Sequence, residues 1–246
     1  MGSARIRGAV RALAGKYPEP LRDMPAEFMR LYERCAPFTM TSWERMYALH
    51  EAAKYISRSD ITGDVVECGV WRGGSSMLAA LALAQIGDHR QLWLYDTFAG
   101  MPPPSERDAD NTGRMAAAAL ETVKRTPGAR NCWAYATLDD VQQNMRATGY
   151  PPNRINYIVG RVEDTIPDQA PERIALLRLD TDWYESTRHE LETLYPRLSP
   201  RGVLIIDDYG HWQGARQAVD EYLATLDAPP LLMRVDYAGR VVVKPG

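Results

Sequence analysis

The run Val65-Val66-Glu67-Cys68-Gly69-Val70-Trp71-Arg72-Gly73-Gly74-Ser75-Ser76 constrains this chain more than any other stretch. β-branched residues lead to an acid, a glycine-rich turn follows, and a helix-forming segment begins at Gly74. Strand, tight turn and helix in that order open a doubly wound α/β domain, in which a ligand sits against the first turn. The spacing here is E-x-G-x-x-x-G-G. A dinucleotide's pyrophosphate calls for G-x-G-x-x-G, so this turn favours a nucleoside ligand without phosphates.

The remainder of the chain keeps the alternation of strand and helix. Thr41-Ser42-Trp43-Glu44 has the form of a capping box and predicts a helix over 42–57. There follow a strand over 64–69, a helix over 74–86, a strand over 91–96, a polar loop through Pro102-Pro103-Pro104 and a helix over 114–125. A second box, Thr137-Leu138-Asp139-Asp140, opens a helix over 138–148, and a strand over 155–159 comes next. Strands over 174–179 and 202–206 flank a helix over 185–197. The near-continuous apolar character of these two strands marks burial on both faces of a sheet. Residues 231–236 and 240–243, separated by Tyr237-Ala238-Gly239, read as a β-hairpin. The expected fold is therefore α/β: a doubly wound, mostly parallel, seven-stranded sheet with an antiparallel C-terminal hairpin. Helix-like spacing from Arg5 to Pro37, broken by Pro18, Pro20 and Pro25, adds an N-terminal helical extension. Residues 1–40 are expected to cap the main domain or build a dimer contact, and residues 41–246 to form the domain itself.

Among 246 residues, 29 basic and 32 acidic side chains are interspersed for a net charge of −3, so no nucleic-acid or membrane footprint is visible. A small substrate that is not a polyanion is expected. Cys35, Cys68 and Cys132 lie far apart and offer neither a disulfide framework nor a zinc cluster, which points to a reducing cytoplasm. No signal peptide and no membrane-spanning run is evident.

Acids end four of the strands: Glu67, Asp96, Asp180 and the pair Asp207-Asp208. This topology brings them to one rim. Asp96, after the second strand, suits the hydroxyls of a bound ribose. Asp180, Asp207 and Asp208 converge from two strand ends and call for a cation, with hard oxygen ligands that suit magnesium. Asp182, three residues before Glu185, reads as the cap of the helix over 185–197. Of four histidines, His50, His89 and His189 fit ordinary helix or turn roles, whereas His211 follows the Asp207-Asp208 rim either as a base or substrate contact or as a helix-start residue packed against the sheet.

Together these pieces resemble the class I S-adenosylmethionine-dependent methyltransferases, and within them the macrocin O-methyltransferase family of metal-dependent sugar O-methyltransferases. The resemblance spans 39–222 and rests on four stretches: Glu67 to Gly74, Tyr95 to Pro102, Leu179-Asp180-Thr181-Asp182-Trp183-Tyr184-Glu185-Ser186-Thr187, and Ile206 to Trp212. It implies S-adenosylmethionine and Mg²⁺ as cofactors and methyl transfer to a hydroxyl of a sugar, on a glycosylated natural product or polysaccharide precursor. Glu67 and the backbone of Gly69, Val70 and Trp71 would meet the methionine part of the cofactor, with Ser75 or Ser76 near its carboxylate. Asp96 would hold the ribose, Thr97 and Phe98 would border the adenosine, and Arg161, Val162 and Glu163 would edge the adenine. Thr39, Met40 and Ser42 would help cover the cofactor, while Asp180, Asp207 and Asp208 would bind the metal. Catechol-type relatives place a lysine shortly after the first metal aspartate. None stands there in this chain, which leaves Asp180 or His211 as the base. A homo-oligomer is expected. Three other readings stand beside this one: a catechol-like acceptor, a nicotinamide-dependent oxidoreductase and a non-catalytic cofactor-binding protein.

Overall fold

The computed structural model describes Leu21 and residues 23–246. One sheet carries the strands β1 Asp64–Cys68, β2 Leu92–Asp96, β3 Ile155–Val159, β4 Ile174–Leu179, β5 Leu198–Ile206, β6 Met233–Arg234 and β7 Arg240–Val243. Their order is β3-β2-β1-β4-β5-β7-β6. The first five pair in parallel, while β7 runs antiparallel to β5 and β6 antiparallel to β7. This is the doubly wound sheet with a C-terminal antiparallel pair that the sequence predicts. Strand order reverses between β1 and β4, so a crevice opens beyond their carboxyl ends.

The helices are α1 Ala26–Cys35, α2 Trp43–Arg58, α3 Gly74–Gln85, α4 Ala116–Glu121, α5 Leu138–Arg146, α6 Val162–Thr165, α7 Tyr184–Leu194 and α8 Gln213–Ala224. Strand periodicity of two decides which face each side chain serves. Val65, Leu92, Leu94, Leu176, Val203 and Ile205 join α1, α2, α3 and α5 in one core. Val66, Cys68, Tyr95, Leu177, Leu179, Leu204 and Ile206 join α7 and α8 in the other. The first ten residues of α3 are all buried, so this helix lies inside the domain without a polar face. The described part of the N-terminal extension packs on the domain through Phe28, Met29, Leu31 and Cys35 of α1. Expectations for residues 1–20 and 22 fall outside the described residues.

Several boundaries move for local reasons. Ser42, not Thr41, caps α2, its hydroxyl accepting the Arg45 N–H. Thr137 caps α5 as expected, accepting the Asp140 N–H. The helix expected over 114–125 shrinks to α4. At its start the Arg114 N–H is spent on the Asp110 carboxylate, and at its end the Thr122 hydroxyl bonds the Ala119 carbonyl. α7 stops at Leu194, and Pro196 sits in the single 3₁₀ turn that follows, Tyr195–Arg197. The last parallel strand starts earlier than predicted, at Leu198, and the hairpin's first arm is only Met233–Arg234. No helix among the described residues is long and apolar enough to cross a membrane.

Candidate active site

A cavity of about 350 Å³ lies at the carboxyl rim, bordered by the turns after β1, β2, β3, β4 and β5. Its first wall is the glycine turn. Gly69 has φ +82°, and a Cβ there would collide with the Asp180 carbonyl, so the turns after β1 and β4 touch through backbone alone. The Asp96 carboxylate accepts the Val70 N–H at 2.7 Å, the Trp71 N–H at 3.0 Å and the Phe98 N–H at 2.8 Å. These bonds hold Trp71 and Phe98 in left-handed backbone conformations, at φ +46° and +48°, that side chains of their size rarely adopt. The acid after β2 thus shapes the turn after β1 and still faces the cavity.

Thr39, Met40, Gly69, Val70, Trp71, Ser75, Asp96, Thr97, Arg161, Val162 and Glu163 all border this space. Four other residues singled out from sequence do not. Glu67 is 4 % exposed and lies beneath the turn, where it takes the Ser76 hydroxyl and pairs with Arg178 at 2.5 Å. Glu67 and Ser76 therefore support the floor from below. The Phe98 ring packs into the core. The Ser42 hydroxyl donates to Asp236 at 2.6 Å, joining α2 to the turn between β6 and β7.

The opposite wall is acidic. Asp180, Asp207 and Asp208 each offer an oxygen within 4.8 Å of the others. Two guanidinium groups enter this cluster. Arg178 stands opposite Glu67 in the β1–β4 register and is 3 % exposed. It pairs with Asp207 at 2.6 Å and Asp180 at 2.8 Å, and donates to the Thr41 hydroxyl at 2.8 Å. Arg45 from α2 contacts Asp207 and pairs with Asp236 at 3.0 Å. Neither arginine was singled out from the sequence, although a charge inside the apolar strand β4 was a legible signal: a buried guanidinium requires anionic partners. Arg45 sits on an ordinary helical pattern and gave none.

Asp182 differs from its sequence reading as a helix cap. Trp183 occupies the N-cap of α7 without a side-chain cap bond. The Tyr184 N–H goes instead to Asp108 at 2.8 Å, a fully buried residue of the loop after β2 that also takes both the N–H and the hydroxyl of Ser105. The cap comes from 76 residues away because the loop folds back over the helix end. Asp182, left-handed at φ +66°, faces the cavity and accepts the Trp212 indole N–H at 2.5 Å. Burial and the Asp180 charge push its carboxyl up to about 7. Burial also holds Asp180 and Asp208 well above the usual carboxylate range, Asp180 against the pull of Arg178. Two arginines thus leave carboxyl groups in excess.

His211 borders the same space, its ring edge-on to Trp212 and its Nδ1 3.4 Å from the Tyr237 hydroxyl. Burial lowers its pKa, which favours a neutral imidazole. Met101, Pro102, Asn131 and Cys132 complete the wall from irregular segments that carry no sequence period. The polar loop expected through Pro102-Pro103-Pro104 is tied down through Asp108, through the Trp183 indole on the Pro102 carbonyl at 3.0 Å, and through a bridge between Asp110 and Trp212.

A seven-stranded sheet with this antiparallel finish, a glycine turn and an acid clamp at its switch point define a class I S-adenosylmethionine-dependent O-methyltransferase. The chain belongs to the Macrocin-O-methyltransferase (TylF) family, whose model matches residues 31–244. It is 35 % identical over 202 residues, 82 % of this chain and 73 % of the relative, to the 8-demethyl-8-(2,3-dimethoxy-alpha-L-rhamnosyl)-tetracenomycin-C 4'-O-methyltransferase of Streptomyces olivaceus. Demethyldecarbamoylnovobiocin O-methyltransferase of Streptomyces niveus is 32 % identical, with 82 % of this chain and 73 % of the relative covered. The solved O-methyltransferase NovP superposes with a TM-score of 0.73 at 30 % identity, covering 85 % of this chain and 83 % of that one.

Proposed function

We propose that this protein transfers the methyl group of S-adenosylmethionine to a hydroxyl of a sugar on a glycosylated natural product or a polysaccharide precursor, and that the transfer depends on Mg²⁺. The observation that carries this reading is the acidic wall facing the glycine turn, together with relatives whose names specify rhamnosyl and other natural-product methylation. The donor set fits a hard divalent cation: three carboxylates, all oxygen, with negative charge left over after both arginines are paired. Asp180, Asp207 and Asp208 would hold the metal, which supplies a lowered pKa to a bound hydroxyl and a fixed position for a vicinal diol. The sulfonium cofactor supplies an electrophilic methyl group.

The chain's own residues would do the rest. Of the residues lining the cavity, Gly69, Val70, Trp71 and Ser75 would bind the methionine end, Asp96 would hold the ribose, Thr97 would border the adenosine, and Arg161, Val162 and Glu163 would edge the adenine, with Thr39 and Met40 over the top. Methyl transfer is an in-line displacement, so much of its catalysis is positioning in a dry site. Asp182 carries no ion pair among the described residues, faces the cavity and is aimed by the Trp212 indole, so it is the carboxylate best placed to take the acceptor's proton. Asp180, expected from sequence as the base, is engaged by Arg178 and would serve as a metal ligand. Neutral His211 contacts the acceptor and is the second group able to accept a proton.

The test is methyl transfer from labelled S-adenosylmethionine to a panel of methyl glycosides, methyl α-L-rhamnoside among them, and to catechols. Glycoside methylation that stops in excess EDTA and returns with Mg²⁺ is expected. Methylation of catechols alone would refute the sugar assignment, and full activity in EDTA would remove the metal.

A further inference from the structure

Beneath the acidic wall, α7 buries an acid that the proposed chemistry does not use. Glu190 is 0 % exposed, and the Thr181 hydroxyl donates to its two oxygens at 3.1 and 3.2 Å. The Cys68 thiol stands at hydrogen-bonding reach, and the carboxylates of Glu163 and Asp208 add their repulsion. None is a cation. Burial holds Glu190 well above the usual carboxylate range, and its two oxygens accept the Thr181 hydroxyl.

Its two neighbours stand at the carboxyl ends of the two strands that flank the switch point. Cys68 ends β1, immediately before Gly69 of the glycine turn, and Thr181 lies between Asp180 and Asp182 after β4. Leu191 and Leu194 fill comparable buried positions of α7 with hydrocarbon, and an acid there costs free energy that a leucine would not. The backbone of the loop has its own supports, since Ser186 bonds the Thr181 carbonyl at 3.3 Å and the Asp182 N–H reaches Asp208 at 3.2 Å. What only Glu190 supplies is a fixed Thr181 side chain.

We propose that Glu190 is a positioning residue for methyl transfer: by clamping Thr181 against the end of β1, it sets Asp180 and Asp182 at their working distance from the glycine turn. This rests on the assignment of Asp180 and Asp182 to the acceptor side. An in-line displacement tolerates little misplacement, and a shift of about 1 Å costs on the order of 100-fold in rate.

Four variants assayed with methyl α-L-rhamnoside as acceptor test it, with affinity for S-adenosylhomocysteine measured by calorimetry. Glu190→Gln keeps the volume and an oxygen that can accept the Thr181 hydroxyl, so kcat should stay within about three-fold of the parent and its pH profile should not move. Glu190→Ala and Thr181→Val should each lower kcat by about 10- to 100-fold, while affinity for S-adenosylhomocysteine changes less than about two-fold. Thr181→Ser should restore most of the rate, and the Glu190→Ala/Thr181→Val pair should be no slower than the slower single variant. Should Glu190→Ala fail to fold, Glu190→Gln and the Thr181 variants carry the test. Parental kcat in Thr181→Val, a Glu190→Gln enzyme as slow as the worst variant, or equal losses of rate and cofactor affinity would overturn the proposal. If the parent methylates a catechol and no glycoside, the sugar reading fails, and the same variants assayed on the catechol still decide the role of Glu190.

Discussion

The two walls of the cavity are built by different means. Backbone shapes the wall after β1 and β2: a glycine that admits the Asp180 carbonyl, and amide N–H groups gathered on Asp96. Side-chain charge shapes the wall after β4 and β5: Asp180, Asp182, Asp207 and Asp208 against Arg45 and Arg178. A wall of backbone gathered on one carboxylate depends on a single titrating group. One of opposed charges changes its balance with each proton or cation it takes up, and that suits binding and activating a hydroxyl. Glu67 and Arg178, paired across β1 and β4, tie the two together.

The largest effects separate the walls. Asp208→Asn should lower kcat by about 1000-fold, if a cation on this cluster lowers the barrier by several kcal/mol, while calorimetry finds affinity for S-adenosylhomocysteine within about three-fold of the parent. A parallel loss of cofactor affinity would show that the two sides are one unit. Asp207→Ala should behave differently, because it strips the shared partner from two buried guanidinium groups. Stability should fall by about 3–5 kcal/mol in denaturant titrations, as expected when one member of a buried ion pair is removed. Wild-type stability in Asp207→Ala would show that Arg45 and Arg178 are satisfied by their other partners.

Arg178→Met probes the tie between the walls. It removes the charge at similar volume and leaves Glu67 and Asp207 facing each other, so a loss of about 3 kcal/mol is expected. Asp96→Asn tests the backbone wall: it weakens the hold on the Val70, Trp71 and Phe98 N–H groups, and affinity for S-adenosylhomocysteine should drop about ten-fold with little change in Mg²⁺ requirement. Unchanged affinity would show that the turn holds its shape without the clamp.

The smallest effect is in pH. Asp182 is held at about 7, and Asp180 and Asp208 are raised well above their ordinary range. The folded state therefore binds these protons more tightly than the unfolded chain does, so stability rises as pH falls through those raised values. Chelator-treated protein should show a higher Tm at about pH 6 than at about pH 8, and Mg²⁺ should flatten that slope by stabilising the charged carboxylates. A slope of the opposite sign, or one indifferent to Mg²⁺, would mean that the arginines already balance the cluster.

Much of this architecture could be read along the chain. Strand and helix alternate with clean periods, and the acids at the strand ends are contiguous with the apolar runs that place them, so the rim could be assembled on paper. Asp182 could not. Its spacing to Glu185 matches a helix start, and nothing local says that Asp108 takes that duty and frees Asp182 for the cavity. Glu67 and Ser76 flank the turn without lining the cavity, because the alternation along β1 sends Glu67 toward α3 and Arg178.

What the sequence determined by itself is the order of elements, the fold class, the ligand-bearing turn and the acids of the rim, all set by residues near one another in the chain. Tertiary structure decided the charge balance of the site. Arg178 meets Glu67 across 111 residues and Arg45 meets Asp236 across 191, and a pairing between groups so far apart exists only once strands and helices have packed. Burial then gives each of those charges its consequence, because a guanidinium or carboxylate removed from water is governed by its few neighbours and not by solvent.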